Sequence, residues 1–243
     1  MDWLSTIKAG GARPQSVIAA LGPVFAAAKL VRITGFTAPG DPLLFWRQAG
    51  AVLGDTAEKG SALSTEAGWT AERAAPGHMH TASTHADLGI FYVERPAGEG
   101  GERLFVDAET IARRAAAIHP DLRARLFTTP VRFFDAEPSQ PILREAGNRV
   151  KICWNGPSVL PGQGEDVVQL ADDFRLFLRE MVEASPGVAA LRLAAGDAII
   201  FRNDEVLHGG HGSLAGAGVL WKAYFVSPAA RAAAPSQRET VAA

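Results

Sequence analysis

The chain has 243 residues, 24 Lys+Arg against 26 Asp+Glu and a formal net charge of −2, which leaves no basic footprint for nucleic acid and no polybasic stretch for anionic lipid. With 47% apolar residues, a chain of this length buries one ordinary core without needing a disulfide or a structural metal. A single cysteine, Cys153, cannot form an internal disulfide and points to a reducing compartment or to no redox role at all.

The N-terminus carries Asp2 where a secretory signal carries positive charge, and the apolar run from Val17 to Val31 is interrupted by Gly22, Pro23 and Lys29. A cytoplasmic protein with no membrane span is expected, built as a single domain over 1–227 with a disordered tail over 228–243. Pro14 to Lys29 reads as a helical region broken at Gly22-Pro23, and Leu30 to Phe36 as a strand. Asp41-Pro42 caps a further helix that ends at Gly54. Ser61 to Thr84 shows no period and reads as a long irregular segment of the kind that binds or covers a ligand. Strands are expected over His85 to Val93 and Arg103 to Asp107, joined by a Gly-rich turn at Gly98 to Gly101.

Asp107 can cap a helix over Ala108 to Ile118, and His119-Pro120-Asp121 opens a second short helix. Val131 to Phe134 and Arg149 to Trp154 read as short strands around a loop containing Pro138 and Pro141. The strongest helical stripe runs from Asp166 to Ala184 through Leu170, Phe174, Phe177, Leu178, Met181 and Val182. Strands over Asp197 to Phe201 and Gly218 to Val226 close the chain. The order suits an α+β domain with a mainly β core.

Six histidines carry the chemical signal: His78, His80 and His85 before the first long strand, His119 alone, and His208 and His211 before the last. Two imidazoles and one carboxylate on one face of an ion leave the open positions that non-haem Fe(II) oxygenases need. The sequence form, His-x-Asp/Glu with a distant His, is common: six histidines at this acid content give about 0.6 chance matches. His119-Pro120-Asp121 is better explained as a helix start. His85-Ala86-Asp87 is favoured because side chains two apart in an extended segment share a face. The distant ligand is His208, delivered by an apolar strand and a polar turn, and fourteen residues later Lys222 sits inside an apolar strand, where an ammonium needs an anion.

These segments resemble the Fe(II)/2-oxoglutarate-dependent oxygenases of the taurine dioxygenase and clavaminate synthase type. "LVRITGF" is similar to the family's N-terminal strand, "HAD" followed by "GIFYVERPAGEGGERLFVD" to its metal motif and Gly-Gly segment, and "LAAGDAIIFRNDEVLHGG" to the approach to its distal histidine. The resemblance implies a double-stranded β-helix (jelly roll) with flanking helices, with Fe(II) on His85, Asp87 and His208, and 2-oxoglutarate and O2 as cosubstrates. The family usually has arginine where this chain has Lys222, and often threonine where it has Arg103, so Lys222 is expected to grip 2-oxoglutarate, with Arg103 sharing that role or taking it over. Arg202-Asn203-Asp204 replaces the usual Asp-Asn-Arg, reading as a reshuffled surface pair. With Asp87 as a ligand, the implied reaction is hydroxylation of a small polar metabolite such as an amino acid, not halogenation.

Substrate contacts are assigned to Trp154, Lys151, Arg149, Trp69 and His80, with His78 and His80 placed at the substrate mouth and His211 as a substitute for His208 in a shifted register. For Lys151 and Arg149 the competing reading is a solvated strand face, and for the tryptophans core packing. Two other functions fit the composition: a zinc hydrolase using the same histidines, and a non-catalytic jelly-roll binding domain. The missing His-Glu-x-x-His helix argues against the first and the joint presence of His85, Asp87 and His208 against the second.

Overall fold

The computed structural model describes residues 1–37, 53, 79–81, 86–96, 102–133, 136–156, 159–184, 187–211 and 219–225. The helix expected from Asp41, most of the irregular segment, the Gly-rich turn, His78, His85, Trp69 and the C-terminal tail lie outside them. No helix among the described residues is long and apolar enough to cross a membrane.

The chain opens with β1 (Leu4–Lys8), α1 (Pro14–Ala27) and β2 (Leu30–Thr34), in which β1 and β2 pair in parallel across the helix. Sequence reading misses β1, whose residues alternate only weakly. α1 runs unbroken through Pro23, contrary to the expected break. Proline removes one helical hydrogen bond, but Val17, Leu21 and Phe25, spaced four apart, anchor both sides of it in the core.

β3 (Leu88–Arg95) and β4 (Glu102–Asp107) follow, then α2 (Ala108–Ile118) and α3 (Pro120–Thr128). Both helix starts are as expected: the Asp107 carboxylate accepts from the Thr110 N–H, and Pro120 occupies the first turn of α3. β5 (Pro130–Phe133), β6 (Ala136–Pro141), β7 (Leu143–Ala146) and β8 (Arg149–Ile152) form two hairpins. β6 and β7 replace the loop expected around Pro138 and Pro141. A two-stranded ribbon leaves each strand one open edge, where proline forfeits no ladder bond. Gly147, at φ 63°, makes the tight β7–β8 turn.

α4 (Glu165–Ala184), β9 (Ala189–Leu191), β10 (Ala198–Arg202), β11 (Val206–His211) and β12 (Val219–Phe225) complete the fold. The larger sheet has the order β1-β2-β10-β3-β12, and a second has β11-β4-β9. Strand alternation gives each sheet two lined faces. Val31, Ile33, Leu88, Ile90, Tyr92, Ala198 and Ile200 turn toward α1. Leu104, Val106 and Leu207 turn toward α2, α3 and α4. Between the sheets lie Leu30, Phe91, Val93, Phe105, Ile199, Phe201, Val206 and Leu220. Phe105 stands 5.9 Å from Phe201 and 6.5 Å from Phe91, ring centre to ring centre, so aromatic edges from both sheets fill this layer.

That layer demands a glycine on β3. A Cβ on Gly89 would run into the Phe201 ring, which occupies the space a side chain would take. Gly89→Ala is expected to destabilise the protein by about 1–3 kcal/mol through overpacking, seen as a lower denaturant midpoint with an unchanged slope.

Candidate metal and cosubstrate site

The inter-sheet layer is apolar except where three strands turn polar side chains into it. β11 pairs antiparallel with β4, which sets His208 opposite Phe105 and Gly210 opposite Arg103. β12 pairs with β3, which sets Lys222 opposite Phe91. Residues directly opposite project to the same face, so His208, Arg103 and Lys222 all enter the layer that holds Phe91 and Phe105.

His208 is 1% exposed. Its ring lies 5.1 Å from the rings of Phe91 and Phe201. Among the described residues neither of its ring nitrogens has a hydrogen-bond partner. Burial drives its pKa well below the usual histidine value, and His80, Lys222 and Arg103 push it the same way. The imidazole is therefore neutral at neutral pH, the form that ligates metal. Leaving a ring nitrogen dry costs about 1–3 kcal/mol, and an ion bound through one of the two removes that cost for the nitrogen it engages.

The two cations meet over one aromatic ring. The Arg103 guanidinium carbon lies 5.4 Å from the centre of Phe91 and the Lys222 ammonium 5.6 Å from it. Both residues are buried. Cation–π contact offsets part of the desolvation, and the pair forms a focus of positive potential beside His208.

His80 is the fourth member of the cluster. Its backbone N–H donates to the His208 carbonyl at 2.9 Å, and the His208 N–H donates back to the His80 carbonyl at 2.9 Å. The two ring centres are 4.4 Å apart. Met79 sends its side chain into the helical core on the other side, and Thr81 is fixed by its hydroxyl donating to the Trp154 carbonyl.

Asp87 lies at the entrance to β3, where its N–H donates to the Phe225 carbonyl and its carbonyl accepts from the Asn203 N–H, both at 2.8 Å. The Asn203 amide donates to the Ala86 carbonyl at 2.7 Å. Asn203 is thus a buried positioning residue for Ala86 and Asp87. The Asp87 charge reaches Asp204, whose carboxyl is raised by burial first, against the pull of Lys151, with Glu205 and Asp87 adding to the rise. Among the described residues no three His, Cys, Asp or Glu side chains converge on one point.

The expected surface pair is not on the surface: Arg202 stacks 4.7 Å over Phe25 and donates to its carbonyl. Lys151 and Arg149 bind Glu205, whose side chain is fully buried, at 2.9 and 3.0 Å, and Lys151 also pairs with Asp204 at 2.7 Å. This cluster ties β8 to the turn that delivers His208. Trp154 is core-packed, its ring 4.9 Å from Phe174 and 6.3 Å from Phe133. The His211 backbone ends β11 opposite Glu102.

Residues 52–224 match the family described as taurine catabolism dioxygenase TauD, TfdA family. The chain belongs to this family. It is a non-haem Fe(II)- and 2-oxoglutarate-dependent dioxygenase. Solved structures share its fold. A taurine dioxygenase from Burkholderia xenovorans matches 91% of this chain and 85% of its own at 14% identity, with a TM-score of 0.61. An asparagine oxygenase bound to Fe(II), 3-hydroxyasparagine and succinate matches 88% and 78% at 12% identity, TM-score 0.62. AAD-2 with Mn(II) and N-oxalylglycine matches 94% of each chain at 10% identity, TM-score 0.65. Comparison with curated proteins finds no match.

The Lys151–Glu205 pair sets a pH dependence in this dioxygenase. Burial pushes the Glu205 carboxyl up, but Lys151 and Arg149 outweigh it and hold the pKa below the usual 4.5. Stability from this group is full above that value and lost as pH falls through the lowered one. Lys151→Met is expected to cost about 2–3 kcal/mol at pH 7, discounted because Lys151 and Arg149 are partly exposed, and the deficit in thermal or urea unfolding should shrink as pH drops below 4.

Proposed function

We propose that the chain hydroxylates a small polar metabolite, such as an amino acid or a derivative of one, with His208 as a ligand to Fe(II), 2-oxoglutarate as cosubstrate and O2 as oxidant, on a jelly-roll scaffold. The observation that carries the proposal is the convergence of a buried imidazole and two buried cations in one apolar layer between the sheets. The family pattern gives the other ligand positions to His85 and Asp87, of which His85 lies outside the described residues.

The donor chemistry fits the ion. His208 offers a neutral ring whose nitrogens have no competing partner among the described residues. When bound, ferrous iron supplies the redox chemistry by which O2 and 2-oxoglutarate become succinate and carbon dioxide while one oxygen atom enters a substrate C–H bond. The remaining work falls to the chain. Lys222 and Arg103 bind the cosubstrate's carboxylates, Lys222 as a point charge and Arg103 with a planar fork. Phe91, Phe105 and Phe201 exclude water from the layer, which strengthens those charge pairs. The backbone ladder from β4 to His208 fixes the ring's direction before any ligand arrives.

Lys222 and Arg103, two cations that bear on His208, suit a dianionic cosubstrate, which favours the oxygenase over a metal hydrolase. The likeness to an asparagine oxygenase crystallised with its hydroxylated amino acid and succinate supports a substrate of that class. A cytoplasmic, reducing setting suits ferrous iron and the buried thiol Cys153.

Anaerobic addition of Fe(II) and then 2-oxoglutarate should produce a weak visible charge-transfer band that His208→Ala abolishes. Lys222→Ala should raise the apparent 2-oxoglutarate dissociation constant by about 10–100-fold, as expected for a lost charge-assisted hydrogen bond. Succinate release across a panel of amino acids identifies the substrate. Iron binding without the band on addition of 2-oxoglutarate overturns the cosubstrate assignment.

A further inference from the structure

Strand β11 turns Val206, His208 and Gly210 toward the inter-sheet layer in succession, while Leu207 goes to the helices on the other side. Gly210 is buried and stands directly opposite Arg103, as His208 stands opposite Phe105. The inward row thus places a residue with no side chain beside the guanidinium, one step beyond the imidazole.

The backbone does not ask for glycine there. The β11–β4 ladder runs from Val206 opposite Asp107 to His211 opposite Glu102 without a shift of register, so Gly210 lies in regular extended backbone that any residue adopts. Glycine weakens a regular strand, and its use in one is to let another group approach closely. At Gly89 that group is the Phe201 ring. At Gly210 the surroundings are cationic instead. Arg103 faces it across the ladder, and Lys222 comes from β12 to the same Phe91 ring that Arg103 covers, at 5.6 and 5.4 Å from its centre. A ligand carrying negative charge suits that place better than a second ring does.

We propose that Gly210 is a specificity-determining residue of the cosubstrate site, its missing side chain giving passage to the carbon chain of 2-oxoglutarate between a metal at His208 and the Arg103 guanidinium. This rests on the reading that Fe(II) and 2-oxoglutarate bind at this site. Successive inward positions on an antiparallel strand are about 6.8 Å apart. An extended five-carbon diacid measures about 5 Å between its carboxylate carbons, so a molecule held at its keto-acid end beside His208 spans one inward step. Arg103, on the neighbouring strand at that step, receives the far carboxylate, with Lys222 as a second charge. A side chain at 210 narrows the passage without touching the ring at 208.

The test uses the full chain loaded with one equivalent of Mn(II) and reads binding by isothermal titration, with no turnover required. Two probes separate the head of the cosubstrate from its tail: oxalate chelates the metal and has no tail, whereas N-oxalylglycine carries the same head with a carboxylate tail. Gly210→Ala should raise the N-oxalylglycine dissociation constant about 5–10-fold and Gly210→Val about 30–100-fold, as expected for overpacking by one and by three carbons. Oxalate and Mn(II) itself should bind both variants within about threefold of wild type. Valine favours a strand, so β11 is retained. Arg103→Met should lower the preference for N-oxalylglycine over oxalate at least tenfold, because the tail then loses its charge-assisted hydrogen bonds.

N-oxalylglycine binding within threefold of wild type in Gly210→Val overturns the inference and leaves the cosubstrate reading standing. Equal losses of oxalate and N-oxalylglycine in Gly210→Ala overturn it too, since the position then acts on the metal end or on the fold. An unchanged preference in Arg103→Met overturns the path toward the guanidinium. Wild-type protein that binds Mn(II) but neither probe overturns the cosubstrate reading beneath it.

Discussion

The two-residue period of a β-strand is the constraint on which the site depends. A strand between two packed layers must decide at every position which layer receives the side chain, and a polar group sent inward needs a reason to be there. On β4, Leu104 and Val106 go to the helical core, while Arg103 and Phe105 go between the sheets. On β11, Leu207 goes outward to the helices and His208 inward beside Phe91. Antiparallel register then turns single-strand choices into a cluster, because His208 opposes Phe105 and Lys222 opposes Phe91. One slip in either pairing would send His208 or Lys222 to the outer face and dissolve the cluster.

Register is held by polar contacts at the ends of the strands. Asn203 takes the carbonyls of Ala86 and Asp87 and so fixes the start of β3 against the end of β10. Glu205 draws Lys151 and Arg149 onto the turn between β10 and β11. Lys29 bridges Asp107 and Glu109 at 3.0 and 2.9 Å, joining the entry to β2 to the start of α2. Burial lowers the Lys29 pKa, but the hydrogen bonds it donates to Glu109 and Asp107 win and raise it. Its contribution is therefore complete at neutral pH and is lost only as pH climbs through the raised value. These three clusters surround the turns that feed the inner face, and the helices on the outside supply the apolar burial that makes them rigid.

Much of this was legible in the sequence because periodicity and capping are local. The Asp107 cap and the bounds of α4, β4, β10 and β12 are legible to within a residue or so, since their signals sit inside one element. β1, β6, β7 and β9 were not, because each is short and is a strand only by virtue of its partner. The family was legible from ordered motifs spread along the chain. The cluster around His208 was half legible: an apolar strand ending in histidine, and a lysine within an apolar strand, both signal a buried polar site. The bridge that sets His80 beside His208 is a non-local pairing that no spacing rule contains. Lys151 and Arg149 stand out in the sequence only as strand cations, and the fold alone reveals that Glu205, more than fifty residues away, receives them.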